Sequence, residues 1–290
     1  MAEPAAGLTL PNPDFLTRNA ADYGTPRPRD FGRAAMIAFL ALGVWLASVA
    51  FILFIPAFFL IPYIASQGTP LSDSQAIIEF AKSDQTAVFL QILAIIPAHI
   101  LTLLVAWLVI SRGRKFSFRD TLGWEKGGFK WWHYVAILVG FFVIAAIVGS
   151  AFPEQDNDLL RILKSSRSAV YIVAFVATFT APAVEEIVYR GILYSAFERL
   201  GGVTVAFVLV TLLFALVHVP QYYPSYSTIF LLTLLSVVLT LVRVKSNNLL
   251  PCIILHTLFN GFQSVMLILE PYIQKEATPE QAAAILYLFK

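Results

Sequence analysis

The residues of this chain that could carry out chemistry are a few ionisable side chains within long apolar stretches. They are His99, His133, Glu185, Glu186, Arg190, His218 and His256. An ionisable group in apolar surroundings is costly, so it usually faces the interior of the protein and often marks function. These positions are therefore the first candidates for an active site.

Two adjacent glutamates precede an arginine in the stretch APAVEEIVYRGIL. On a helix, Glu186 and Arg190 share a face, because residues four apart are neighbours, whereas Glu185 points about 100° away from Glu186. One carboxylate can thus pair with the arginine while the other stays available. Pro182, about one turn upstream, lacks a backbone donor and disturbs the helix. A bent and partly hydrated helix suits a reactive carboxylate, and Glu185 is the candidate for that role.

Two histidines accompany these glutamates on later apolar stretches. His218 follows Phe214 by one turn on the same face, and His256 precedes Asn260 by one turn. Side chains four apart on a helix can address one point in space. A purely structural pairing is the alternative for both histidines, because buried polar groups commonly form hydrogen bonds between helices.

The turn positions predict whether these side chains meet. Glu185 lies 16 residues before Gly201 and His218 lies 16 residues after Gly202, so both would lie at one height in an antiparallel hairpin. That height is roughly 24 Å from the turn, whereas His256 is only roughly 12 Å from the next turn. All three meet if the glycine turn protrudes about 12 Å further. Charged residues before the turn favour this protrusion, and the apolar sequence after it argues against it.

The elements that must position these residues are predicted to be membrane-spanning helices. The chain is 58% hydrophobic and 13% charged, with a mean hydropathy of +0.76, whereas soluble domains are about half apolar and about a quarter charged. Apolar runs of about 20 residues, enough to cross a ~30 Å hydrocarbon core, recur along the chain. We therefore predict an all-α polytopic transmembrane bundle with about seven spans. The predicted spans are 34–63, 86–110, 132–152, 168–189, 203–220, 227–244 and 248–269.

The remaining two histidines are predicted to lie outside the active site. His99 falls in the second predicted span and has no partner at a suitable spacing, which favours a structural role. His133 lies beside Trp131 and Trp132 at the start of the third span, and such aromatic pairs are typical of the membrane interface.

The segments outside the spans predict orientation and partners. Residues 1–33 are proline-rich and are predicted to form a disordered tail, and 279–289 are predicted to form a short amphipathic helix at the interface. Lys and Arg are concentrated in alternate loops, above all in 111–131, which predicts a cytoplasmic N-terminus in a membrane of the bacterial inner type. The net charge of +2 indicates no nucleic-acid partner. The bilayer itself is the predicted partner.

Together these residues resemble the CPBP family of intramembrane peptidases, which comprises CAAX proteases and bacteriocin-processing enzymes and is also called the ABI family. The family pattern is a glutamate pair followed by arginine (EExxxR), then FxxxH, then HxxxN or a similar pair. This chain matches it in order with Glu185-Glu186 and Arg190, Phe214 and His218, and His256 and Asn260. The resemblance covers residues 170–262, and we predict one transmembrane domain, 34–290, with its peptidase core at 168–269.

The resemblance implies a glutamate-dependent endopeptidase that cuts a peptide or membrane-protein substrate within the membrane. It implies that Glu185 activates the attacking water and that His218 holds this water or a metal ion. It also implies that His256 and Asn260 steady the oxyanion or complete a metal site. Prenylated CAAX ends are the substrates that name the family, and the sequence itself contains no sign of prenylation.

The resemblance leaves the metal open. The family is often classed as metalloproteases, and Glu185, His218 and His256 could together hold zinc, with Glu186 and Arg190 supporting the geometry. A metal-free reaction is equally compatible with these residues. Other intramembrane proteases are excluded, because the sequence has no HExxH, no GxSG and no aspartate in a predicted span.

Two other functions remain open from the sequence. A non-catalytic scaffold or regulator could keep the same fold and the same motifs. A proton-coupled transporter could also use buried glutamate and histidine, although such proteins often have internal repeats, which are not found here.

Overall fold

The computed structural model describes residues 31–276, so the predicted tail up to residue 30 and the predicted helix at 279–289 lie outside the described residues. The described chain is built from helices. The α-helices are α1 (Phe31–Ser66), α2 (Ser74–Ser83), α3 (Gln85–Leu93), α4 (Ile95–Ser111), α5 (Phe118–Leu122), α6 (Trp131–Ala151), α7 (Asp158–Ser165), α8 (Arg167–Phe175), α9 (Ala181–Glu186), α10 (Tyr194–Gly201), α11 (Val203–Tyr222), α12 (Tyr226–Ser246) and α13 (Leu250–Glu276). Two π-helical segments, π1 (Val176–Thr180) and π2 (Ile187–Leu193), flank α9.

Within residues 31–276, seven helical segments are long and apolar enough to cross a membrane, which confirms the predicted polytopic helical bundle. They are Phe31–Ser66, Gln85–Ser111, Trp131–Ala151, Arg167–Gly201, Val203–Tyr222, Tyr226–Ser246 and Leu250–Ile273. Each overlaps its predicted span. The fourth differs most, because the helical path continues to Gly201 instead of ending at residue 189.

The fourth span forms the centre of the bundle. Every residue from Glu186 to Phe197 is buried, and a helix buried on all sides must have neighbours all round it. These neighbours include α1, α4 and α11. The large apolar side chains on the outside of α1 are instead exposed, Phe39 by 77%, as expected for a surface that lipid covers.

The path of the fourth span departs from a regular α-helix at two places. Pro182 lies at the start of α9, directly after π1, so the predicted disturbance of the helix is present as a π-helical turn. The second departure, π2, begins directly after Glu186. π-helical turns are rare and occur frequently at functional sites.

The turn between α10 and α11 requires a glycine. Gly202 has a φ of +86° and serves as both the end of α10 and the start of α11, and side chains other than glycine avoid this conformation. The tight turn makes α10 and α11 antiparallel neighbours. It therefore brings Glu185 and His218 onto adjacent helices.

The segment between α4 and α6 supports the start of α13. The carbonyl of Gly123 accepts a hydrogen bond of 2.8 Å from the backbone of Leu249. Leu122, next to Gly123, is 1% exposed. It lies so close to Gly191 that a side chain at position 191 would collide with the Leu122 side chain. This segment therefore contacts both π2 and the beginning of the helix that carries His256.

Candidate active site

Glu186 and Arg190 form a fully buried ion pair in the centre of the fourth span. Arg190 Nη1 lies 2.9 Å from Glu186 Oε1, and both side chains are 0% exposed. The pairing predicted from their spacing is therefore present. Such a pair is stable in an apolar interior only when its remaining hydrogen-bonding groups are also satisfied.

Two residues of α12 supply further partners for Arg190, whereas Glu186 Oε2 is buried without a hydrogen-bond partner among the described residues. Arg190 Nη2 donates to the carbonyl of Ser236 at 3.0 Å and to its Oγ at 2.8 Å. Arg190 Nε donates to Thr240 Oγ1 at 3.4 Å. The guanidinium also lies over the ring of Phe214, with 4.8 Å to its centroid. The sequence analysis missed Ser236 and Thr240, although two hydroxyl residues four apart in a span are a known signal of contact between helices.

Glu186 also orients His256. His256 Nδ1 donates to Glu186 Oε1 at 2.8 Å. Because a carboxylate only accepts, the proton of a neutral imidazole lies on Nδ1, and Nε2 carries the lone pair. His256 is 2% exposed, so this orientation is fixed by the protein rather than by solvent.

Glu185 faces the other nitrogen of the same imidazole. Its Oε2 lies 3.8 Å from His256 Nε2, and its side chain is 24% exposed, against 0% for Glu186. Of the two neighbouring glutamates, Glu185 is thus accessible and Glu186 is sequestered, as their spacing predicted.

His218 contacts Phe214, whose ring also faces His256. Its Nδ1 donates to the carbonyl of Phe214 at 2.6 Å, and its ring lies 4.6 Å from the ring of Phe214. Phe214 in turn lies 6.2 Å from the ring of His256. Within residues 31–276, no hydrogen bond or ion pair joins His218 to Glu185 or His256. Glu185, His218 and His256 were predicted to meet. Of these three side chains, only Glu185 and His256 are in direct contact in the described residues.

Asn260 has a structural contact that the sequence analysis did not foresee. Its Nδ2 donates to the carbonyl of Ala177 in π1 at 2.9 Å. In a π-helical register this carbonyl would meet the nitrogen of Pro182, which has no hydrogen to donate. Asn260 supplies the missing donor and thereby joins α13 to the distorted part of the fourth span.

The contact between His256 and Glu186 fixes how far each of two turns lies from it along the bundle. The turn at Gly201 must lie further from this contact than the turn before α13 does. Gly201 lies 15 residues beyond Glu186, whereas His256 lies only 6 residues beyond the start of α13 at Leu250. At 1.5 Å per residue the difference is about 13 Å. A difference of this size is what the predicted protrusion of the glycine turn requires.

The other two histidines make hydrogen bonds of their own. His99 Nδ1 bonds to Thr180 Oγ1 at 2.9 Å, so it has a partner on the fourth span that its spacing did not reveal. His133 Nδ1 accepts from the backbone of Lys130 at 2.8 Å and caps α6. A structural role for both histidines stays a prediction.

The zinc site implied by the resemblance would need Glu185, His218 and His256 to come together around one ion. In the described part of the chain, no three His, Cys, Asp or Glu side chains come together in a group that could hold a metal ion. Glu186 Oε1 binds the Nδ1–H of His256 and the Phe214 carbonyl binds that of His218, which leaves the Nε2 atom of each ring as a possible ligand. A zinc site of Glu185, His218 and His256 thus stays a prediction.

Residues 167–262 match a family model described as Type II CAAX prenyl endopeptidase Rce1-like. All six site residues fall inside the matched range: Glu185, Glu186, Arg190, His218, His256 and Asn260. The match confirms the resemblance to the CPBP family of CAAX proteases and, with the seven apolar helices, indicates an integral membrane protein. No curated protein and no solved structure matches the chain.

Proposed function

From the likeness of residues 167–262 to the CAAX proteases, we propose that this chain is an intramembrane endopeptidase with Glu185 as its general base. The observation that carries the proposal is the 3.8 Å between Glu185 Oε2 and His256 Nε2, beside a second carboxylate that is fully buried. Peptide hydrolysis needs a base for the attacking water and donors for the developing oxyanion. Glu185 supplies the base. His256 Nε2 supplies a second hydrogen-bond acceptor for the attacking water.

A water molecule between Glu185 and His256 is the proposed nucleophile. Two acceptor atoms 3.8 Å apart can each take a hydrogen bond from the same water. Because Glu186 binds the Nδ1–H of His256, the Nε2 lone pair is turned toward this water. Both protons of the water then face acceptors, and its oxygen lone pair is left for the substrate carbonyl.

Glu185 carries the proton through the reaction. The water oxygen bonds to the carbonyl carbon while one water proton passes to Glu185, which gives a tetrahedral intermediate. When the carbon–nitrogen bond breaks, Glu185 returns this proton to the leaving amine, and the carboxylate is restored. Glu186 and Arg190 act only through His256, because both are paired and fully buried.

Asn260 and His218 serve the substrate side of the proposed site. One amide hydrogen of Asn260 is bound by Ala177, and the second is available to donate to the oxyanion. His218 uses its Nδ1–H for the carbonyl of Phe214, so its Nε2 is an acceptor for the water or for a substrate N–H. No step of this proposal passes through zinc.

The proposed substrate is a peptide or membrane protein that reaches Glu185 from within or beside the bilayer. The family description points to a CAAX end with a prenylated cysteine as the first sequence to try. We further propose that cleavage takes place near the cytoplasmic face, with the N-terminus of the enzyme on the same side. A bacterial inner membrane is the proposed location.

The test is cleavage of a fluorogenic farnesylated CAAX peptide, and of the same peptide without the lipid, by the purified full-length protein in proteoliposomes. Glu185→Gln should lower kcat at least about 100-fold, the usual contribution of a general base. Glu125→Gln, at an exposed position of the loop before α6, is the control and should retain the wild-type rate. Both variants should remain folded by circular dichroism.

Two outcomes would overturn the proposal. Cleavage by Glu185→Gln at the wild-type rate would remove Glu185 from the reaction. If the folded wild-type protein cleaves neither peptide, a non-catalytic scaffold with the same fold becomes the better interpretation. Cleavage of both peptides at equal rates would keep the peptidase but exclude recognition of the prenyl group.

A further inference from the structure

We propose that Ser236 and Thr240 of α12 are positioning residues for the active site, acting through Arg190, Glu186 and His256. This inference rests on the proposed peptidase function. Neither residue belongs to the three motifs of the sequence pattern, and both come from a helix that contributes none of the proposed catalytic side chains.

The two residues hold the guanidinium from the side opposite Glu186. Arg190 Nη2 donates to the Ser236 carbonyl and hydroxyl at 3.0 and 2.8 Å, and Nε donates to Thr240 Oγ1 at 3.4 Å. Thr240 Oγ1 itself donates to the Ser236 carbonyl at 2.7 Å. Ser236 and Thr240 are both 0% exposed, so water cannot replace these bonds at low cost.

Support from α12 matters because Arg190 lies in a distorted stretch of helix. It falls within π2, where the backbone departs from the regular α-helix. An arginine side chain has many rotamers, and its ion pair with a residue one turn away does not by itself fix the plane of the guanidinium. The contacts from α12 remove this freedom, and α12 also binds the backbone there, since Arg243 Nε donates to the Arg190 carbonyl at 3.2 Å.

The position of the guanidinium is transmitted to the reacting atoms through one carboxylate oxygen. Arg190 Nη1 and His256 Nδ1 both donate to Glu186 Oε1, at 2.9 and 2.8 Å. A rotation of the guanidinium therefore moves the acceptor that fixes the tautomer and the tilt of the His256 ring. The lone pair of His256 Nε2, which faces Glu185 at 3.8 Å, moves with that ring.

The variants that test the proposal are Ser236→Ala, Thr240→Val and the two combined, in the full-length protein in proteoliposomes. Thr233→Val is the matched control, because the hydroxyl of Thr233 bonds only to the carbonyl of Ile229 one turn back on the same helix. Ser236→Thr keeps a hydroxyl and should restore function. These five proteins share one purification and one cleavage assay.

The expected result is a fall in kcat with little change in KM. Loss of a buried hydrogen bond to a charged group should lower kcat about 10-fold in Ser236→Ala and further in the double variant. KM should stay within about twofold of the wild-type value, because the contacts of Ser236 and Thr240 with Arg190, called the clamp below, touch no substrate. Thr233→Val should match the wild type. A purely structural role would instead lower the active fraction without changing kcat per folded molecule.

A second measurement decides the proposal without any turnover. The chain has four histidines, so the ¹⁵N signals of His256 can be assigned by comparison with His256→Asn. The wild type should have the Nδ1-protonated tautomer at His256, and the double variant should move toward a mixture of tautomers. Unchanged kcat in the double variant, or an unchanged His256 signal, would overturn the clamp. An inactive wild type overturns the peptidase proposal alone, because the spectrum still tests the clamp.

Discussion

Removal of Arg190 should destabilise this protein far more than removal of an arginine at its surface. Arg190 and Glu186 are joined at 2.9 Å with both side chains 0% exposed. Arg190→Met would leave the Glu186 carboxylate in an apolar interior without its cation. Loss of one partner of a buried ion pair costs about 3–5 kcal/mol, because the remaining charge is no longer compensated.

The chain offers a matched comparison for this variant. Arg161 and Asp156 are also 2.9 Å apart, but their side chains are 62% and 52% exposed. Exposed pairs of this kind contribute about 0–1 kcal/mol. The two pairs have the same separation. The difference between Arg190→Met and Arg161→Met in the loss of unfolding free energy therefore reports the effect of burial and not of distance.

A double variant tests whether the unpaired charge of Glu186 is the cause of the lost stability. Glu186→Gln combined with Arg190→Met leaves no buried charge at this position, so it should recover a large part of the stability that Arg190→Met loses. The free energy of unfolding would be measured by reversible unfolding in mixed detergent and dodecyl sulfate micelles, followed by circular dichroism. The reasoning fails if Arg190→Met costs no more than Arg161→Met, or if the double variant is as unstable as Arg190→Met.

Three further results are expected. Asn260→Ala should cost about 1–3 kcal/mol by leaving the Ala177 carbonyl unpaired, and Pro182→Ala in the same chain should recover part of this by supplying a backbone N–H; the absence of recovery in the unfolding free energy would contradict the role given to the proline. Gly127→Ala should destabilise more than Gly128→Ala, because both have positive φ but only Gly127 would place a side chain 2.6 Å from a backbone oxygen; equal unfolding free energies would be the contrary result. Peptide cleavage should withstand a chelator, since in the proposed reaction Glu185 and His256 hold the attacking water without a metal; loss of turnover that added zinc reverses would restore the metal hypothesis.

The local parts of the candidate site could be predicted from the sequence. Glu186 and Arg190 meet because residues one turn apart on a helix are neighbours, and the same geometry directs Glu185 elsewhere. The disturbance at Pro182 was predictable as well, since the ring removes a donor wherever it lies in a helix. Its form, a π-helical turn joined to Asn260, was not predictable, because the donor comes from a residue 83 positions away along the chain.

The relation between helices was only partly predictable. The turn positions gave the heights of Glu185 and His218 on a hairpin, but they left open whether the turn at Gly201 protrudes. The contact of His256 with Glu186 gives a difference between the two turns of the size that this protrusion requires. The position of His218 relative to Glu185 stays a prediction, because the face on which a helix packs is set by its neighbours and not by its own spacing.

The sequence by itself determined the seven spans and the candidate carboxylates, because hydropathy and helical spacing are properties of short stretches of chain. The tertiary structure alone decided which polar groups satisfy one another. Ser236 and Thr240 reach Arg190 from 46 and 50 residues away, and such partners depend on how the helices rotate against each other. In an apolar interior an unpaired polar group is costly, so packing selects these contacts from many that the sequence would allow.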